Sequence, residues 1–171
     1  DYTRYGIYIL YRRVLSDYRD GLKPVQRRIL WAMYKNTKAI GSKVKSAAIV
    51  GDVMKFYHPH GDAAIYATMI PMANWFETKV PLIDPEGNFG TFQGDPFAAS
   101  RYTECCLSKF AVDHILGDIM DTPESVDWSP TYSGATIEPD YLPVKLPLLL
   151  VNGSFGIGLG MRAEIPTHNL A

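Results

Sequence analysis

In the stretch RYTECC, Arg101 directly precedes Tyr102, one of eleven tyrosines in the chain. A phenol has a pKa of about 10, so it needs help to attack phosphorus at neutral pH. A guanidinium within ~4 Å contributes up to ~4 kcal/mol at an effective dielectric of about 20. Opposite-charge neighbours lower an acid's pKa by about 1–3 units. An arginine-flanked tyrosine can therefore serve as a nucleophile while the same cation stabilises a pentacoordinate phosphorane. Arg-Tyr pairs are also common in ordinary packing, and this one alone does not decide between the two roles.

Two further segments carry chemistry-capable residues. HPHGD sets His58 and His60 around a proline, before Gly61 and Asp62. His-x-His can bind a metal, and His58, His60, Asp62 and Glu104 could be drawn as a hydrolase site. His114 and His168 lie in unrelated contexts, so no protein-bound metal is expected. Imidazoles before a helix N-terminus are also good donors to an anion, or can be hydrogen-bonded within a rigid turn. GSFGIGLGM, Gly153 to Met161, matches neither G-x-G-x-x-G nor a phosphate loop. Its glycines instead allow close backbone approach, leaving Phe155, Ile157 or Leu159 either in the local core or at an exposed tip. An apolar side chain on such a tip can enter a DNA base step.

The elements that must position these groups read as follows. YGIYILYRRVL predicts a first helix or an extended arm, and SDYRDGLKP a loop, with Pro24 opening the next helix. PVQRRILWAMYKN has apolar residues at helical spacing. SAAIVGDVMKFY predicts a third helix capped by Ser46, and DAAIYATMIPMANWF a fourth, with Asp62 at its N-cap and Pro71 either kinking it or confining the regular helix to one side. KVPLIDPEGNFGTFQGDPF has hairpin or wing composition, and TECCLSKFAVDHILGDIM returns to helical spacing. Short helices, tight turns and a wing predict an α+β fold: a winged-helix domain over 1–125. From about residue 126 to 171, proline, glycine and β-formers predict the beginning of a second, β-containing domain.

Charge is unevenly distributed. Residues 1–60 hold twelve Lys and Arg against four Asp, whereas the rest hold five basic and fourteen acidic side chains. A basic half on a near-neutral chain suggests a polyanion partner such as nucleic acid, or simply a solvated helical surface. The only cysteines, Cys105 and Cys106, are adjacent, which suits neither a structural bridge nor a zinc site and points to a reducing cytoplasm. No apolar run reaches the ~20 residues of a membrane span. The sequence opens on Asp1 and stops after IPTHNLA, and is expected to be a piece of a longer polypeptide.

RDGLKPVQRRILWAM, GDVMKFYHPHGDAAIY, GNFG, AASRYTE, LPLLLVNGSFGIGLGM and IPTHNL stand in one order along the chain. This set closely resembles the breakage-reunion (A) subunit of bacterial type IIA DNA topoisomerases, over essentially the whole chain. The resemblance implies a winged-helix domain leading into a truncated tower domain, and a homodimer clamped on double-stranded DNA. It implies Tyr102 as the nucleophile that takes the 5′ end as a phosphotyrosine ester, with Arg101 beside it. Arg13 and His58 would act across the scissile phosphate, and Lys23, Arg27, Arg28, Lys45 and His60 would contact DNA. Ile157 would wedge between base pairs. Magnesium would be held mainly by the TOPRIM domain of the partner B subunit, which also uses ATP, in an A2B2 assembly in the bacterial cytoplasm. The rival is a related winged-helix architectural protein that does not cleave.

Some positions depart from the family pattern. Ala63 and Ala67 stand where most relatives carry a serine and an acid that anchor quinolone drugs through a water–magnesium bridge, implying weak quinolone sensitivity. Pro71 replaces a usual arginine, and Ala48 stands where a basic residue is common. Gln26 and the stretch DWSPTYSGATIEPDYLP look slightly more like topoisomerase IV than gyrase.

Overall fold

The computed structural model describes residues 2–158 and 160–171, apart from the Arg12 side chain; Asp1 and Leu159 lie outside the described residues. Helix α1 (Tyr2–Ile9) runs into a π-helical turn, Leu10–Val14, and together they form the arm. Helix α2 (Pro24–Lys35) starts on its proline, where a missing N–H costs nothing, and Gln26 accepts the Lys23 amide at 2.9 Å. Helices α3 (Ser46–Phe56) and α4 (Asp62–Ala73) follow, joined by the HPHGD turn.

Strands β1 (Val44–Lys45), β2 (Ile83–Glu86) and β3 (Glu104–Leu107) form an antiparallel sheet with β3 in the middle. Val44 pairs with Cys105, and Ile83 with Leu107. A short helix, α5 (Lys109–Ala111), continues as a π-helical turn to Leu116. Beyond it lie the hairpin β4 (Trp128–Pro130) and β5 (Ile137–Pro139), helix α6 (Leu148–Asn152), and the hairpin β6 (Ser154–Gly158) and β7 (Met161–Ile165). The fold is α+β. Buried residues of α2, α3, α4 and the sheet make one cluster with Ile115, Leu116 and Ile119, which Val126, Leu142 and Leu148 also join. Trp128 meets Trp31 of α2 edge-on, with centroids 5.4 Å apart.

Three local expectations are corrected. TECC is strand, not helix: Cys105, Cys106 and Leu107 are buried in the central strand, and the helix starts only after Ser108, whose hydroxyl accepts the Ala111 amide at 3.1 Å. Ser46 is the first residue of α3 and not its cap, because its hydroxyl is buried and accepts from Thr103 Oγ1 at 2.8 Å. Gly61, not Asp62, occupies the N-cap of α4, and the Asp62 carboxylate accepts the Ala63 amide at 2.8 Å. Pro71 sits inside the last turn of α4, which ends two residues later.

One carboxylate ties the arm loop to the rest. Asp20 is fully buried and accepts from Arg27 Nε at 2.6 Å, Arg27 Nη2 at 3.0 Å, the Leu22 amide at 3.0 Å and the Leu142 amide at 2.9 Å. Removing one member of a buried pair strands the other charge. Asp20→Ala is therefore expected to lower unfolding free energy by about 3–5 kcal/mol, read from urea denaturation; a loss below about 1 kcal/mol would mean that Arg27 readily finds water or another acceptor.

Candidate active site

Tyr102 lies at the end of the loop between β2 and β3, against the N-terminus of α3. The Ser46 amide donates to the Thr103 carbonyl at 3.0 Å, and the Ala47 amide to the Ser100 carbonyl at 3.1 Å. These bonds use two of the helix's free N-terminal donors and pin the segment on both sides of Tyr102. Behind it, the Tyr66 hydroxyl donates to the Ala98 carbonyl and lies 2.8 Å from Thr103 Oγ1, which donates to Ser46 Oγ. Thr103 is thus locked inward while Tyr102 itself is 66% exposed. The Arg101 guanidinium carbon stands 4.5 Å from the Tyr102 ring centroid. Lys45 pairs with Glu104 at 3.2 Å beside them. An exposed phenol on a rigid corner, with a cation over its ring and the positive end of a helix behind it, can meet an anionic ligand.

A second cluster lies beyond the other end of α3. Arg13, Arg28, His58 and His60 line a cleft of about 600 Å³ together with Glu138 and Asp140. Arg28 is clamped by Glu138: Nη2 donates to Oε1 at 2.8 Å, and Nε to Oε2 at 3.0 Å. Its Nη1 lies 2.9 Å from His58 Nδ1. A guanidinium can only donate, so Nδ1 accepts and the His58 proton sits on Nε2. Burial first, then the charges of Arg28, His60 and Arg13, push the His58 imidazole down to about 4, so it is neutral at pH 7. The His60 ring meets it edge-on, with centroids 4.4 Å apart.

A third feature is the β6–β7 hairpin. Strand alternation sends Gly156 and Gly158 toward the arm, and Phe155 and Ile157 outward. A Cβ on Gly156 would stand 2.4 Å from the Val14 carbonyl oxygen, so only glycine lets the strand lie this close. Ser16 Oγ and Ser154 Oγ are 2.8 Å apart, and the Lys23 ammonium donates to the Phe155 carbonyl. Ile157 is 70% exposed. Arm and hairpin are therefore one packed unit carrying Arg13 and Ile157.

The DNA-contact candidates separate into groups. Arg13, Lys45 and His60 are exposed. Lys23 is half-buried against the hairpin, and burial lowers its pKa. Arg28 is engaged with Glu138 and His58, but reaches the cleft. Arg27 is corrected: it is buried against Asp20 and the Leu22 carbonyl, a structural cation and not a surface one. Ala63 and Ala67 are exposed on α4. Sequence reasoning missed Glu138, because 110 residues separate it from Arg28 and no local pattern links them. Among the described residues, no group of three or more His, Cys, Asp and Glu is arranged to hold a metal ion. Tyr102, Arg101 and the cationic cleft do not fit magnesium, which wants a set of oxygen ligands.

The family of the A subunits of DNA gyrase and topoisomerase IV matches residues 13–171. This chain belongs to it. The DNA gyrase A subunit of Deinococcus deserti is 46% identical over 99% of this chain and 21% of its own length. That of Rickettsia felis is 49% identical over 99% and 18%, and that of Haemophilus influenzae 46% over 99% and 19%. The chain thus spans about a fifth of the length of the curated relatives it matches. The relatives carry the gyrase name and the family covers both enzymes, so the lean toward topoisomerase IV gains no support from them.

The arm–hairpin contact makes a paired prediction. Gly156→Ala should cost about 1–3 kcal/mol by overpacking against Val14. Gly51→Ala, in mid-α3 with open space around the new methyl, should instead stabilise by about 0.5–1 kcal/mol. Urea midpoints of the two variants moving in the same direction would contradict this packing.

Proposed function

We propose that this chain is the DNA-gate part of a type IIA topoisomerase A subunit, with Tyr102 as the nucleophile that opens one strand of a double-stranded DNA. The observation that carries the reading is an exposed phenol, held on a rigid corner under Arg101, in a chain of this family. Tyr102 Oη forms a bond to phosphorus while the P–O3′ bond breaks. The phenol loses its proton and the leaving 3′ oxygen gains one, so a free 3′ hydroxyl and a 5′-phosphotyrosine ester result. Exchanging one phosphoester for another keeps the bond energy, and the reverse attack by the 3′ hydroxyl reseals the strand. Arg101 stabilises charge developing on the phosphorane.

Arg13 and His58 act on the same phosphate from a second copy of the chain. Helix α3 separates the two halves within one chain: eleven residues at 1.5 Å each keep them about 16 Å apart. A homodimer with the two gates face to face brings Tyr102 of one copy to the cationic cleft of the other. Lys23, Lys45 and His60 contact DNA, Arg28 stands behind His58 and is held there by Glu138, and Ile157 enters a base step and bends the duplex. Residues 1–125 form a winged-helix domain, with α2, α3 and α4 on the β1–β3–β2 sheet, and residues 126–171 begin the tower domain. The B subunit completes an A2B2 enzyme, holding magnesium in its TOPRIM domain and hydrolysing ATP, in the bacterial cytoplasm on the nucleoid. Among the described residues no helix is long and apolar enough to cross a membrane.

The test mixes full-length A and B chains with magnesium, ATP and supercoiled plasmid, and looks for protein joined to 5′ ends. Tyr102→Phe should abolish attachment while leaving DNA binding in place. Equal attachment by the mutant removes Tyr102 from the mechanism; binding without any cleavage by the wild type favours the architectural alternative. With alanine at 63 and 67, the same assay should show weak quinolone-stabilised cleavage, and an ordinary level of drug-stabilised breaks would refute that expectation.

A further inference from the structure

Three side chains in the cleft form a chain of hydrogen bonds that ends on His58 and begins outside any expected site residue. Glu138, on β5, holds Arg28 of α2 by two parallel contacts, and Arg28 reaches His58 Nδ1 with its remaining edge. The clamp is well shielded, with 21% and 13% of the Arg28 and Glu138 side chains exposed. Planar two-point contact fixes the guanidinium in the orientation that aims Nη1 at the imidazole. We infer that Glu138 is a positioning residue for strand cleavage: through Arg28 it fixes the tautomer of His58, so that Nε2 carries the proton and can donate to a phosphate oxygen.

The charged groups around His58 support this division of labour. Arg13 from the arm, Arg28 from α2 and His60 from the same turn all oppose a positive imidazole, while Glu138 and Asp140 supply the cleft's negative charge. A neutral imidazole offers a hydrogen-bond donor that does not repel its arginine neighbours. Without Glu138 the guanidinium is free to turn toward bound phosphate, and Nδ1 loses its donor. The ring can then hold its proton on either nitrogen, and half of those states present a lone pair to the phosphate.

The inference rests on the cleavage reading above, and two measurements separate them. In the 171-residue chain with 15N-labelled histidine, His58 should show an unprotonated Nδ1 and a protonated Nε2 at neutral pH. Glu138→Gln should give averaged nitrogen shifts, and so should Arg28→Lys, since an ammonium cannot span both partners. Unchanged urea midpoints or far-UV spectra would show that the variants fold. In the assembled A and B enzyme, Glu138→Gln should slow 5′ attachment at least tenfold with DNA affinity within twofold. A wild-type proton on Nδ1, an unchanged tautomer in both variants, or averaged shifts with full cleavage rate would each overturn the inference. Attachment surviving in Tyr102→Phe would sink the cleavage reading instead, and leave the nitrogen shifts to be judged alone.

Discussion

A single buried carboxylate governs how the arm meets the body of the protein. Asp20 has four donors converging on it, two from the Arg27 guanidinium and two from the backbone at Leu22 and Leu142. A charge removed from water is tolerated only when paired and hydrogen-bonded this fully. The consequence is geometric. Arg27 is one residue from Arg28, so locking Arg27 inward rotates α2 to present Arg28 on the neighbouring face, toward β5 and His58. The loop that Asp20 belongs to also anchors the arm, and so the approach of Arg13. A structural pair thereby sets the placement of two cations that face the cleft.

Helix α3 imposes the second constraint. Its N-terminal amides are consumed by the segment that carries Tyr102, and its C-terminus runs directly into the His58 turn, where the His58 amide reaches the Val53 carbonyl at 2.8 Å. A rigid helix between Tyr102 and the His58 cleft fixes their separation as firmly as their orientation. Such an arrangement keeps Tyr102 and the cleft apart within one chain, which is why the proposed function needs a second copy to bring them together.

Much of the helical unit was legible, and for physical reasons. Pro24 marks where α2 begins because its ring suits the first turn, and the 3.6-residue spacing of Ile29, Leu30 and Met33 gives its inner face. The central strand was not legible. Cys105, Cys106 and Leu107 are apolar on both faces, a run that fits helix or buried strand equally well until β1 and β2 are known to flank it. The caps failed for a related reason: Ser46 is a good cap residue by type, but Thr103 competes for its hydroxyl from 57 residues away. Of the site, Tyr102 beside Arg101 and Ile157 on a glycine-spaced strand were marked as candidates by type and spacing. Local sequence left packing and exposure equally open, and only the fold places both side chains outside. The assignment of Arg27 and Arg28 to opposite environments did not follow from local sequence either, because adjacent arginines look alike until their acidic partners are placed.

The charge count acquires a different meaning once those partners are known. Among the described residues, Arg28 pairs with Glu138, Lys43 with Asp84 and Lys45 with Glu104, joining the basic half to the acidic one. Arg27 and Arg19 are matched by Asp20 and Asp17 within the basic half itself. Only the three pairs that cross to the acidic half reduce the excess of eight (twelve minus four). Part of it is therefore internal, and long-range attraction for a polyanion is somewhat weaker than the segregation of charge along the sequence suggests. The exposed pairs at Lys43 and Lys45 are held loosely and can exchange a carboxylate for a phosphate at little cost. The shielded one at Arg28 cannot, since its two-point contact would be lost. Weak pairs at the rim and a strong one behind the imidazole make one division that the proposed function would use: exposed cations able to trade partners, and one cation held by Glu138 to orient His58.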